Sequence, residues 1–115
     1  MSQLVHEKKV ENTTEIIYLG WEVDESNIDE LKNIIAPFLS NWDLDNLVLN
    51  LDKLTFINSM VIWWFASLIW EFADAGKKFV FSEPNEEIFD IIDLVWLTAA
   101  IETYDTDEEA LLSFD

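Results

Sequence analysis

The chain has 115 residues, half of them hydrophobic, which is enough for one core and predicts a single domain over 1–115. Its 24 acidic residues stand against 6 lysines and no arginine, a formal net charge of -18. This excludes nucleic acid and anionic membrane surfaces and favours a basic protein surface as partner. There is no cysteine, and the single histidine, His6, reads as a strand residue, so disulfides, a thiolate nucleophile and a sulfur metal site are excluded.

Leu4 to Val10 is expected to form a strand, with a turn at Glu11-Asn12-Thr13 and a second strand over Glu15-Ile16-Ile17-Tyr18-Leu19, giving a hairpin. Ser26 is the expected N-cap of the first helix, and Asp29 and Glu30 suit its positive end. Ile28, Leu31, Ile35 and Phe38 recur at helical spacing, and Pro37 predicts a kink or an early end. Leu47-Val48-Leu49-Asn50-Leu51 reads as a central strand, and Lys53 to Ile57 leads on to a serine. Ser59 to Ala75 is the second helix, closed by Gly76, and Phe79-Val80-Phe81 is a strand ended near Pro84. Glu86 to Val95 is a third helix, Ile101 to Tyr104 a short strand, and Thr106 caps a closing helix. The alternation predicts an α/β fold: a mostly parallel central sheet, an N-terminal antiparallel strand pair and about four helices, packed on one principal face.

The segment from Phe56 to Phe72 carries most of the functional reading. Ser59 stands where strand passes to helix, and its structural role is expected to be the N-cap. Ile62, Phe65, Ala66, Ile69, Phe72 and Ala73 trace the expected core stripe of that helix. Met60, Trp63, Ser67, Trp70 and Asp74 trace the opposite stripe, with Trp64 and Glu71 on the borders. Covering two exposed tryptophans and a methionine is worth on the order of 10 kcal/mol gross, before association costs, and so favours a protein contact. No catalytic set, phosphate loop, cofactor motif or metal grouping is present, so enzyme activity is not expected. Met1 to Val10 has no signal-peptide core, and the uncharged run from Leu54 to Trp70 is short for a membrane span, so a cytoplasmic protein is expected.

The ordered landmarks resemble the STAS domain family, of the anti-sigma factor antagonist type. Leu19-Gly20-Trp21-Glu22-Val23-Asp24 is similar to the family's Leu-x-Gly-Glu-Leu-Asp, with the glycine displaced by one. Val48-Leu49-Asn50-Leu51 resembles its central strand, and Phe56-Ile57-Asn58-Ser59 its Phe-hydrophobic-Asp-Ser. Ala75-Gly76-Lys77-Lys78 and Tyr104-Asp105 followed by Glu108-Glu109-Ala110-Leu111 match later landmarks. The resemblance implies phosphorylation of Ser59 by a kinase-like anti-sigma factor, reversal by a phosphatase, and binding of the anti-sigma factor by the unmodified form. Asn58, Val61 and Trp96 depart from an aspartate and two glycines of the family pattern. Asn58, Met60 and Val61 lean toward the alternative, a constitutive STAS-type subunit of a larger assembly such as an ABC lipid-transport system. In either case Asn58, Met60, Trp63, Trp64, Ser67 and Trp70 are the expected contact residues, with a homodimer through the same helix as another occupant.

Overall fold

Five strands order themselves β1-β2-β3-β4-β5 across one sheet in a computed structural model that describes residues 4–114. The strands are β1 (Val5–Glu11), β2 (Thr14–Val23), β3 (Asn46–Ile57), β4 (Lys78–Ser82) and β5 (Thr103–Tyr104). β1 and β2 pair antiparallel through the Asn12-Thr13 turn, and every later pair is parallel. The expected central strand is therefore central, and it runs on through Lys53 to Ile57 as one long β3. The His6 backbone lies in β1; its side chain is outside what is described.

The helices are α1 (Ile28–Leu39), α2 (Ser59–Asp74), α3 (Glu86–Leu94), α4 (Leu97–Ala100) and α5 (Asp107–Leu112). The short α4 was not expected from the sequence. Four residues are too few to show a helical period, and it exists because Leu97 and Ile101 at its ends are drawn into the core. Buried residues of α1 to α4 join Ile17, Leu19, Leu47, Leu49, Leu51 and Phe81 on one sheet face. On the opposite face Ile16, Val48 and Val80 receive Ala110 of α5. One face thus carries most of the helical mass, as the alternation predicts, and a single short helix covers the other.

The expected cap of α1 needs correction, and of the two alternatives for Pro37 the early end does not occur. Ser26 does not cap α1: the N-cap is Asn27, which makes no side-chain cap bond. Ser26 instead gives both its amide and its hydroxyl to Asp24 Oδ1, at 2.8 and 2.5 Å, and these donors hold the Asp24 carboxyl below the ordinary carboxylate range. Pro37 does not stop the helix, which continues to Leu39. Pro37 sits in the last turn on the exposed side, where the carbonyl it leaves unpaired, on exposed Asn33, is open to water.

α2 ends as the sequence predicts. Gly76 has φ 71°, its amide bonds to Ala73 O at 3.1 Å, and the Lys77 amide reaches Phe72 O at 2.9 Å. These are the two bonds of a glycine-closed helix end. Among the described residues, no helix is long and apolar enough to cross a membrane.

Candidate functional site

Parallel strands bring the β2–α1 loop and the β3–α2 junction to the same end of the sheet. Asn27 knits the first loop, donating to Glu22 O at 2.7 Å while its Oδ1 accepts the Asp24 amide at 2.9 Å. Glu25 in that loop accepts Asn58 Nδ2 at 2.6 Å. Asn58 is thereby tied to the loop on one side and to the helix on the other, since its Oδ1 accepts the Val61 amide at 3.1 Å.

This corrects the role expected of Ser59. The N-cap of α2 is Asn58, in an extended conformation, and Ser59 is the first helical residue. Asn and Ser cap equally well, and the extended backbone with the correctly placed side-chain oxygen falls on Asn58. Ser59 is exposed, and its hydroxyl makes no hydrogen bond among the described residues. The amides of Ser59 and Met60 lie in the first turn, where helix donors have no partner within the helix.

Along α2 the buried side chains are Val61, Phe65, Leu68 and Phe72. The expected core stripe was therefore one position out of phase. Phe65 and Phe72 belong to it, Ile62, Ala66 and Ile69 are half-buried, and Ala73 is exposed. Phe65 meets Phe81 edge-on with ring centroids 5.2 Å apart, and Phe72 stacks on Phe38 at 5.6 Å. Each such burial stabilises by roughly 1.5–3 kcal/mol and fixes the rotation of the helix.

The opposite stripe is where it was expected. Trp63 is 75% exposed and Trp70 74%, with Met60, Ser67 and Asp74 also on the surface. Trp64 is half-buried against Phe65. It lines a groove between α1 and α2 together with Lys32, Ile35, Leu39, Ser67 and Glu71. The Ser67 hydroxyl is committed to Trp64 O at 2.7 Å, so it is a local helix contact and not a free donor. The candidate residues thus divide in two: Asn58, Ser59 and Met60 at the helix start, then Trp63, Trp64, Ser67 and Trp70 along its length.

Sequence reasoning missed Glu25, because nothing local marks which loop carboxylate meets Asn58. It also missed a polar row beneath α5. Tyr18, Asn50 and Ser82 are register neighbours on β2, β3 and β4. All three donate to the Asp107 carboxylate, at 2.8, 2.9 and 2.6 Å. Burial, then the bond to Asp107, raises the Tyr18 phenol above its ordinary pKa. The available signal was a single Asn or Ser inside an otherwise apolar strand. Among the described residues, no group of three or more Asp, Glu or His is placed to hold a metal ion.

The fold has close parallels among solved structures. A putative anti-sigma factor antagonist from Thermotoga maritima matches with a TM-score of 0.84 at 20% identity, over 93% of this chain and 92% of that one. An anti-sigma factor antagonist from Mycobacterium paratuberculosis matches with a TM-score of 0.81 at 17% identity, over 93% and 90%. The Bacillus cell fate determinant SpoIIAA in its phosphorylated form matches with a TM-score of 0.71 at 16% identity, over 95% and 98%. At these identities the likeness is one of fold. The STAS domain model matches residues 6–110, nearly the whole chain, and with the five-stranded sheet and α2 in place this chain belongs to the STAS domain family.

Proposed function

We propose that this chain is a cytoplasmic, non-catalytic binding domain of the anti-sigma factor antagonist type, whose docking surface begins at Ser59 and continues along the outer stripe of α2. The observation that carries this reading is the exposed Ser59 hydroxyl at the first position of α2, released from capping by Asn58. A phosphate there meets unpaired first-turn amides and the positive end of the helix dipole. It adds about 1.5 to 2 negative charges beside Met60 and Trp63, enough to repel a docked partner without unfolding the domain. The partner is a kinase-like anti-sigma factor, with a phosphatase to reverse the modification.

The Glu25 carboxylate favours a second reading. It lies against Asn58, the residue before Ser59, and its charge opposes a phosphate added at the helix start. On that reading the same surface binds constitutively within a larger assembly. Incubation with the kinase-like anti-sigma factor of the same genome and Mg·ATP separates the two. The switch reading expects one phosphoryl group on Ser59 by mass spectrometry and none on Ser59→Ala. An unmodified protein, under conditions that modify a control antagonist, selects the constitutive reading. On either reading, changing Trp63 and Trp70 together to Ser should weaken partner binding by about 2–4 kcal/mol in calorimetry, with the domain still folded. Full-strength binding by that variant places the interface elsewhere, and unfolding of the variant makes the tryptophans structural.

A further inference from the structure

Away from α2, the turn joining α3 to α4 carries a second exposed apolar surface. Leu94 is 79% exposed and Trp96 78%, with Val95 between them and Phe89 further up α3 also at the surface. Trp96 has φ 67°, a left-handed backbone that a bulky residue rarely adopts and that glycine adopts freely. No core packing explains the indole, since it stands in solvent. The turn beneath it is well fixed. Thr98 Oγ1 donates to Asp93 Oδ1 at 2.7 Å, the Trp96 amide to Asp93 O at 3.1 Å, and Leu97 and Ile101 are buried. Leu94 and Trp96 therefore flank a surface hollow, together with Asp93, Thr98 and Ala99, on a rigid base. Strained residues held by a well-determined surround are a pointer to function, and a rigid platform lowers the ordering cost of binding.

Charge selects the occupant. Glu86, Glu87, Asp90 and Asp93 are all exposed along α3. No lysine follows Lys78 in the chain, and none of the ion pairs among the described residues involves α3 or α4. A second copy would bring the same acids against these, and an anionic lipid surface is repelled in the same way. We infer that the α3–α4 corner is a second docking surface, taking a cationic amphipathic helix of a partner protein. Its apolar side chains cover Leu94 and Trp96, and its lysines or arginines meet the four α3 carboxylates. The surface lies on different elements from Ser59 and the α2 tryptophans and does not rest on their role.

The test is a titration of the 15N-labelled chain with a short synthetic Leu/Lys peptide that presents leucine on one helical face. Backbone amide and indole N–H resonances report the site. Shifts are expected to concentrate on 86–99 and on the Trp96 indole. Leu94→Ser should weaken binding about tenfold or more while keeping native spectral dispersion, and Trp96→Gly should do the same. The Trp63→Ser/Trp70→Ser variant should bind within about twofold of the parent. The inference is overturned if Leu94→Ser and Trp96→Gly bind as the parent does. It is equally overturned if shifts centre on α2 or spread over the acidic surface, or if a peptide with serine for leucine binds as tightly.

Discussion

Asn58 and Ser59 are neighbours of equal capping aptitude, and only Asn58 caps. Its side chain satisfies the Val61 amide and holds Glu25 in the same stroke. Removing it with Asn58→Ala should cost about 1 kcal/mol, the usual worth of a cap. Ser59→Ala removes an exposed hydroxyl that has no hydrogen-bond partner among the described residues and should change stability by less than about 0.5 kcal/mol. Urea denaturation midpoints for the two variants check this; a larger loss for Ser59→Ala would return the capping role to the serine. At Trp21 and Trp96 the backbone is left-handed, φ 60° and 67°. Both are places where the family pattern leads one to expect glycine; at the third, Val61, the residue is an ordinary buried member of α2. In Leu19-Gly20-Trp21-Glu22 the left-handed residue is Trp21, one place after the glycine, inside β2 where its register with β3 is irregular.

At the scale of elements, α5 is the part whose attachment depends on polar contacts. Its apolar anchorage is buried Ala110 on Ile16, Val48 and Val80, with Leu111 and Phe114 partly buried against the same cluster. Beside that, the Asp107 carboxylate accepts from Tyr18, Asn50 and Ser82, and Asn50 and Ser82 are almost wholly buried. Asp107→Ala leaves those two buried groups without their acceptor and should cost about 2–6 kcal/mol in urea unfolding, at about 1–3 for each group. A loss under about 1 kcal/mol would mean that water or a rearranged α5 replaces the carboxylate. The same network sets an alkaline limit. Tyr18 holds its proton more tightly folded than unfolded, because burial and the Asp107 bond disfavour the phenolate. Its contribution is therefore complete below about pH 10, the ordinary tyrosine value, and is lost as pH rises above it. Tyr18→Phe should flatten that fall in a stability-versus-pH series. Tyr104 is also raised, by its bond to Glu102, but it is solvated, so Tyr104→Phe should leave the fall in place. If Tyr104→Phe flattens it and Tyr18→Phe does not, the assignment is reversed.

For the whole molecule the dominant long-range effect is self-repulsion from a net charge of -18. The molecule measures 31 × 28 × 25 Å. At 0.01 M salt the Debye length, about 30 Å, spans it, and at 0.15 M it falls to about 8 Å. The ion pairs found are all exposed and so lose little on screening. Added salt should therefore raise the melting temperature by several degrees, since about 1 kcal/mol moves a domain of this size by 4–8 °C. It should slow capture of a basic partner and tighten any homodimer. A melting temperature that falls with salt would mean that attractive pairs outweigh the repulsion. The sequence by itself determined the order of elements, the α/β class, the central place of β3 and the sign of the surface, because strand-helix alternation and charge are local or additive properties. It did not fix the rotation of α2. From Met60 to Ala66 no polar residue interrupts the helix, so a period has nothing to phase against, and packing of Phe65 and Phe72 against Phe81 and Phe38 chose the buried face. Nor did it join Asp107 to Asn50 and Ser82, or Glu25 to Asn58. Those pairings are set by strand register and loop closure between residues far apart in the chain, which only the tertiary structure decides.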